Sequence, residues 1–301
     1  MKPTFGSLFA GIGGYDRGME QAGWECKFQV EWDKHCISVL ERHWADIPRW
    51  SDVRDVNGAE VPPVDCIIFG SPCQDLSTLG KKVGLQGSKS SLFFDAIRII
   101  KEMRDATNGT FPRWAIWENV AGAMRSNKGA DFGAVLDALA DAGAMVIEWK
   151  LLDSISFNLP QRRRRVFVVA GFNPSFRDGS CPQIFPFSKG SQGNPYEGTN
   201  KDILFYRCHG KVERWTMGYS PTLKAGGPVC IVGEARGPRL LTPLEHERLQ
   251  GYPDDHTRWR ADGSEQSDTQ RWKQCGNGVA TPVAKWVGEQ VLKVHQTLIH
   301  P

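Results

Sequence analysis

Cys73 stands directly after Pro72 in the stretch GSPCQDLSTLG. A thiol presented at a proline-restrained turn is a candidate nucleophile, provided that a neighbour takes its proton or lowers its pKa. A single Cys is more often a small buried hydrophobe, so the reading needs companions. Glu118 closes the apolar run WAIWE. An ionisable acid there is costly unless it is paired or used. In its acid form it could give a proton to a ring nitrogen; a helix cap or a salt bridge is the plainer alternative. Residues 161–165 read QRRRR and run into the apolar VFVVAG. Strand side chains alternate, so Arg163 and Arg165 share one face while Arg162 and Arg164 share the other. One pair can enter a cleft and the other can meet solvent or phosphate. Taken alone, such a run is a solvated or nucleic-acid-facing patch.

A second group of residues suits a nucleoside. Phe9 and Ala10 lead into Gly11, Gly13 and Gly14, which permit a tight turn and close approach of a ligand to the backbone. Glu31 follows Gly11 by 20 residues, the separation at which an acid accepts ribose hydroxyls. Trp32 beside it can stack on an adenine or pack in the core. Asp16 stands where a third fingerprint glycine would be. A nicotinamide cofactor and an adenosyl-methionine cofactor both satisfy this pattern.

These residues need a scaffold that brings them together. Strand-like segments at 4–10, 25–31, 65–70, 114–118, 145–152 and 165–171 alternate with helical ones at about 14–22, 34–43, 92–104 and 132–142. Such alternation predicts a parallel, doubly wound α/β sheet, whose ligands bind at the carboxyl ends of the strands. The unusual residues fall at those ends: the glycine turn, Glu31 and Trp32, Asp52 after a third strand, Pro72 and Cys73, and Glu118 and Asn119. Residues 74–91 are rich in Gly and Lys, a long loop of the kind kept for function. After about residue 188 the chain turns Gly-, Pro- and Ser-rich, with short strand candidates such as 228–233, then helices at 243–249 and 279–296. A second, smaller, mostly irregular or β domain is expected over 189–272, with 1–188 plus 273–301 forming the large one.

The chain has 301 residues, 40% hydrophobic and 24% charged, with a net charge of +3. That balance excludes wholesale disorder. No apolar run reaches the ~18–20 residues of a membrane span, and the N-terminus reads as a strand rather than a signal peptide, so a cytoplasmic protein is expected. None of the eight cysteines forms a CxxC pair, which argues against zinc and thioredoxin-type chemistry; no metal is expected. The near-neutral charge hides a split. Residues 1–150 carry 17 basic and 20 acidic residues, whereas 161–239 carry 13 basic and 5 acidic. A basic segment of this kind is the footprint of a nucleic-acid partner whose binding weakens with salt.

Taken jointly, LFAGIGGYDRGMEQAG, VEWD, GSPCQDLSTLGKKVGLQGSKSSLFFD, WENV, LPQRRRRVFVV, LTPLEHERLQGYPDD and QCGNGVATPVA resemble the DNA cytosine-5 methyltransferases over about 1–172 and 239–290. The resemblance implies a Rossmann-like methyltransferase domain with a small target-recognition domain. It implies S-adenosyl-methionine as cofactor, S-adenosyl-homocysteine as product and double-stranded DNA as substrate. Phe9, Ala10, Gly11, Gly13, Gly14, Glu31, Trp32, Asp52, Asn277 and Val279 would form the cofactor pocket. Pro72, Cys73, Glu118, Asn119, Arg163 and Arg165 would do the chemistry on a flipped-out cytosine, with the loop 74–91 closing over it. Gln74, Ser77, Lys81, Lys82, Arg207, Arg214, Thr222 and Lys224 are candidate DNA contacts, with His209 and Lys211 beside them. A monomer is expected; a cognate restriction endonuclease is not readable from the residues. Gly70-Ser71 and Gly278 depart from the common family pattern.

Three other readings fit parts of the sequence. An RNA cytosine-5 methyltransferase would share the chemistry, but the basic recognition region and Pro-Cys-Gln favour DNA. A silent DNA-binding protein would not need Cys73, Glu118 and Arg165. A nicotinamide dehydrogenase leaves Cys73 without a role.

Overall fold

The computed structural model describes residues 2–72, 92–178, 181–186, 204–207, 216–217, 219–225, 229–233 and 236–299. In chain order the first elements are β1 (Thr4–Leu8), α1 (Gly14–Gln21), β2 (Glu25–Val30), α2 (Lys34–His43), β3 (Arg49–Trp50), β4 (Cys66–Phe69) and α3 (Leu92–Ala106). They continue with β5 (Trp114–Val120), α4 (Ala130–Asp141), β6 (Val146–Asp153), β7 (Gln161–Arg162) and β8 (Arg164–Gly171). Seven of these strands form one sheet in the order β3-β2-β1-β4-β5-β8-β6.

Both faces of the sheet are covered, and the sequence shows why. In β5, Ala115 and Trp117 join a core cluster with Phe93 and Ile97 of α3 and Val135 and Leu139 of α4. Trp114 and Ile116 point the other way, to Tyr15 and Met19 of α1. A strand buried on both faces reads as a continuous apolar run rather than an alternating one. Trp114 and Trp117 are fully buried, and truncating either to Ala would cost roughly 3–5 kcal/mol.

The expected all-parallel sheet needs one correction. The pairs β1–β2, β1–β4, β2–β3 and β4–β5 are parallel, but β8 runs antiparallel to both β5 and β6. Only residues 154–163 separate β6 from β8, too few for the crossover of a dozen or more residues that a parallel neighbour needs.

The remaining elements are β9 (Leu204–Arg207), β10 (Thr216–Met217), β11 (Ser220–Pro221), β12 (Val229–Gly233), β13 (Arg236–Leu240), α5 (Pro243–Gln250), α6 (Asp268–Asn277) and α7 (Thr281–Ile299). The expected irregular region holds a four-stranded antiparallel sheet, β10-β9-β12-β13. Its edge strand β13 carries Pro238, a residue tolerated at an edge because no ladder bond is lost there. α5 begins with a capping box between Thr242 and Glu245, with Pro243 following the cap, and ends at Gly251 in the left-handed conformation. α6 runs through residue 272, where the sequence suggests a domain boundary. Ser267 caps its N-terminus, its side chain accepting from Gln270 N.

α7 returns to the large sheet, as expected. Val283, Val287, Val291 and Val294 pack with Tyr15 and Met19 of α1, and the Trp24 indole donates to Gly288 O at 3.1 Å. Cys26, Cys66 and Cys275 are buried thiols, whereas Cys230 is disulfide-bonded. Among the described residues no helix is long and apolar enough to cross a membrane.

Candidate active site

The carboxyl ends of β1, β2, β4 and β5 open into a cleft of about 1500 Å³. Its other walls come from residues 162–165, 219–225 and 273–278. Phe9, Gly11, Glu31, Trp32, Pro72, Glu118, Asn119, Arg163, Arg165, Thr222, Lys224 and Asn277 all line it. Elements far apart in sequence thus deliver the expected residues to one place.

One end of the cleft is organised by Glu31. Gly11 N–H donates to its Oε2 at 2.7 Å, and the amides of Trp32 and Asp33 donate to its Oε1 at 3.0 and 2.9 Å. The carboxylate is thereby locked to the turn after β1. Burial raises its pKa, against the pull of those three donors. Three of roughly four acceptor positions are used, all of Oε1 and half of Oε2, so Oε2 can still accept a hydroxyl. The indole of Trp32 is 81% exposed, an apolar face offered to a planar ring. Gly11 has a φ of 59°, and a Cβ there would meet no atom within 4 Å. A free acceptor, an exposed ring and an open glycine fit the nucleoside of S-adenosyl-methionine.

Five expected cofactor residues do not line the cleft, for identifiable reasons. Ala10 packs with Leu40 and Trp44. Gly13 is needed because a Cβ would sit 2.3 Å from the Trp44 ring, and Gly14 because one would sit 2.1 Å from the Tyr252 hydroxyl. Their small size serves packing behind the turn. Asp52 takes the amide and guanidinium of Arg54; this pairing holds its carboxyl at about 2. Val279 lies against Arg163 and Arg165 in a smaller cavity behind the wall.

The other end is organised by β5. Glu118 and Asn119 are buried. Asn119 Nδ2 donates to Ser71 O at 3.0 Å, and Trp117 Nε1 donates to Ser71 Oγ at 3.1 Å. Ser71, which the sequence suggests only as a departure from a family pattern, is therefore the anchor of the chain leading to Pro72 and Cys73. Arg165 Nε lies 3.0 Å from Glu118 Oε1. The contact is an ion pair without hydrogen-bond alignment, so Oε1 has no hydrogen-bond partner among the described residues.

The alternation expected in 161–165 holds. Arg163 is buried and the side chain of Arg165 is 15% exposed, while Arg162 and Arg164 are exposed. Arg163 donates to the carbonyls of Leu223, Gly276 and Gly278 at 3.2, 3.2 and 2.7 Å. It joins the cleft's two late walls. Gln161 works similarly, giving its amide to Leu249 O at 2.8 Å and accepting from Leu223 N at 3.2 Å. Thr222 Oγ1 donates to Arg162 O at 2.7 Å, and β7 pairs with β11. Lys224 is exposed. Lys273, missed in the sequence, closes the cleft rim with an ion pair to Asp33 at 3.3 Å.

Cys73, Gln74, Ser77, Lys81, Lys82, His209, Lys211 and Arg214 lie outside the described residues, as does the whole loop 74–91. Arg207 is in β9, with only its backbone described.

Asp16, where a third glycine was sought, is fully buried behind the turn. Ser7 Oγ donates to it at 3.0 Å and Gln29 Nε2 at 2.8 Å. Burial still raises its carboxyl to about 6. A raised acid favours folding below the unfolded pKa of about 4, and that contribution is lost as pH rises through 6. Two units correspond to about 3 kcal/mol. Asp16→Asn should therefore raise the urea-unfolding free energy at pH 8 by about 1–3 kcal/mol, and the gain should shrink at pH 5. An equal change at both pH values would refute the assignment.

A family model described as C-5 cytosine-specific DNA methylase matches residues 3–204 and 184–293. The type II methyltransferase M.BsuFI of Bacillus subtilis is 31% identical, over 95% of this chain and 72% of its own. The type II methyltransferase M.HpaII of Haemophilus parainfluenzae is 28% identical, over 97% of this chain and 90% of its own. Among solved structures, the Dnmt2 methyltransferase of S. pombe superposes with a TM-score of 0.68 at 15% identity, over 99% of both chains. That likeness speaks for the fold alone.

Proposed function

Because this chain belongs to the C-5 cytosine-specific DNA methylase family, we propose that it methylates C5 of a flipped-out cytosine in a short duplex sequence, through a covalent Cys73–C6 adduct. That it is a DNA (cytosine-5-)-methyltransferase dependent on S-adenosyl-methionine follows from the family.

C5 of cytosine is a poor nucleophile. Addition of the Cys73 thiolate to C6 turns the ring into an enamine, with electron density pushed to C5. Glu118 meets the ring at N3 and supplies the proton or hydrogen bond that answers the displaced charge. Arg165 stabilises the same charge near O2. Bound S-adenosyl-methionine supplies an electrophilic methyl group, carried on a sulfonium. Once C5 carries the methyl group, its proton passes to solvent water, the N3 proton returns to Glu118 and the Cys73 thiolate is expelled, which restores the aromatic ring and the free enzyme. C6 can be attacked only from the ring face, which is covered inside a stacked duplex, so the base must leave the helix.

Glu31 would hold the ribose, Trp32 the adenine, and Phe9, Gly11 and Asn277 the remaining edges of the cofactor pocket. Asn119, through Ser71, positions the nucleophile turn. Arg163 is read as a positioning residue. The region 189–272 is proposed as the recognition domain, with Thr222, Lys224, Arg207, Arg214 and the loop 74–91 contributing DNA contacts.

The observation that carries the reading is the juxtaposition of the Glu118–Arg165 pair with Ser71 in the cleft that holds Glu31 and Trp32. The test is expression from a plasmid followed by bisulfite sequencing of that plasmid. Methylated cytosine at every occurrence of one short sequence is expected. No cytosine methylation in any context would overturn the proposal.

A further inference from the structure

We propose that His256 is a positioning residue for the turn at 11–14, holding it in a ligand-ready shape by donating Nε2–H to the carbonyl of Ile12. The proposal rests on the reading of the Gly11–Glu31 end of the cleft as the cofactor pocket.

The nitrogen lies 2.7 Å from Ile12 O. A carbonyl only accepts, so the neutral ring carries its proton on Nε2. The ring is 1% exposed and sandwiched between two others. Tyr252 stacks at 4.8 Å with planes 8° apart, and His43 stacks at 4.2 Å with planes 15° apart. His43 Nε2 also reaches His256 O at 2.9 Å. These contacts fix the plane of the imidazole and therefore the direction of its N–H.

The target of that N–H is a stretch of backbone with little stiffness of its own. Phe9, Gly11 and Gly13 all have positive φ, at 58°, 59° and 76°, and glycine populates such angles without preferring them. Within the turn, Gly13 N–H donates to Ala10 O at 2.9 Å, and Gly11 is tied to Glu31. Neither bond fixes the Ile12 carbonyl. His256 does, from a segment 244 residues away in sequence. The same loop reaches the segment that follows α6, where the Tyr252 hydroxyl donates to Val279 O at 3.1 Å beside Gly14. One short loop thus grips both the first turn of the chain and the segment that follows α6.

Burial pushes the His256 imidazole down to about 3. The charges facing it reinforce this: His43 from α2 and Arg17 from α1 both oppose a second proton. The donor therefore stays a neutral imidazole at any working pH.

The test compares His256→Phe, which keeps an aromatic ring but removes the donor, with His256→Gln, which keeps an N–H at similar reach. S-adenosyl-homocysteine binding is read by calorimetry, and amide exchange of residues 10–14 is read in the cofactor-free protein. His256→Phe should weaken binding about tenfold, the scale of one buried hydrogen bond lost, and speed exchange in the turn. The KM for S-adenosyl-methionine should rise in step while kcat stays within about twofold. His256→Gln should recover most of the affinity, which separates lost positioning from a folding defect. Wild-type affinity and exchange in His256→Phe would overturn the inference, as would an equal loss in His256→Gln. Failure of the wild type itself to bind S-adenosyl-homocysteine would instead sink the cofactor reading.

Discussion

Cys73→Ala is expected to lose methyl transfer on the order of 10⁴-fold or more, because no other group can open the route through C6. The uncatalysed alternative asks C5 to attack an electrophile directly from an aromatic ring, with no covalent help. Glu118 and Arg165 cannot compensate, since the charge they stabilise develops only after C6 has been attacked. The structure supports the placement up to the residue before the Pro72–Cys73 pair: the bonds from Trp117 and Asn119 fix Ser71 beside Glu118. The variant should still bind S-adenosyl-homocysteine, whose proposed contacts are at the other end of the cleft. Tritiated methyl incorporation measures the loss. Wild-type enzyme should also form a covalent complex on duplex DNA carrying 5-fluorocytosine, and Cys73→Ala should form none. Retention of even one per cent of the wild-type rate would rule out the adduct mechanism.

Much of this site can be read from spacing. The 20-residue spacing from Gly11 to Glu31 becomes a 2.7 Å hydrogen bond, because α1, a short turn and β2 consume that length and return the acid beside the glycine. The parity of the arginine run also survives, since β7 and β8 flank Arg163 as extended chain and extended side chains alternate. What spacing does not carry is strand direction. The apolar run at 165–171 looks the same whether β8 lies parallel or antiparallel, and only the ten-residue connection decides. α6 was invisible for a different reason. Its sequence, DTQRWKQCGN, has no apolar period, and its position depends on buried polar contacts such as Gln274 with Gln266. Gly13 and Gly14 show the limit of motif reading. The glycines were legible, but their necessity comes from Trp44 and Tyr252, partners that no local pattern reveals.

The second large effect concerns Glu118. Glu118→Gln is expected to slow single-turnover methyl transfer about 10²–10⁴-fold, the range of a lost general acid. The substitution keeps the shape and offers an N–H donor but removes the acidic proton that can be transferred. If Glu118 only hydrogen-bonded to the base, the amide would serve nearly as well and the loss would stay within tenfold. The pairing with Arg165 sharpens the comparison. Both side chains are mostly buried, at 11% and 15% exposure, and 3.0 Å apart, so removing one charge leaves the other inadequately answered in a site of low polarity. Arg165→Met should therefore also be severely impaired. The double variant should fall well short of the product of the two single losses, because groups that stabilise the same charge fail together. The measurement is a rapid-quench time course at saturating DNA and S-adenosyl-methionine, with S-adenosyl-homocysteine affinity as the control for an intact pocket. A Glu118→Gln rate within tenfold of wild type would remove proton delivery from the mechanism. Strictly multiplicative losses would show that Glu118 and Arg165 act on different steps.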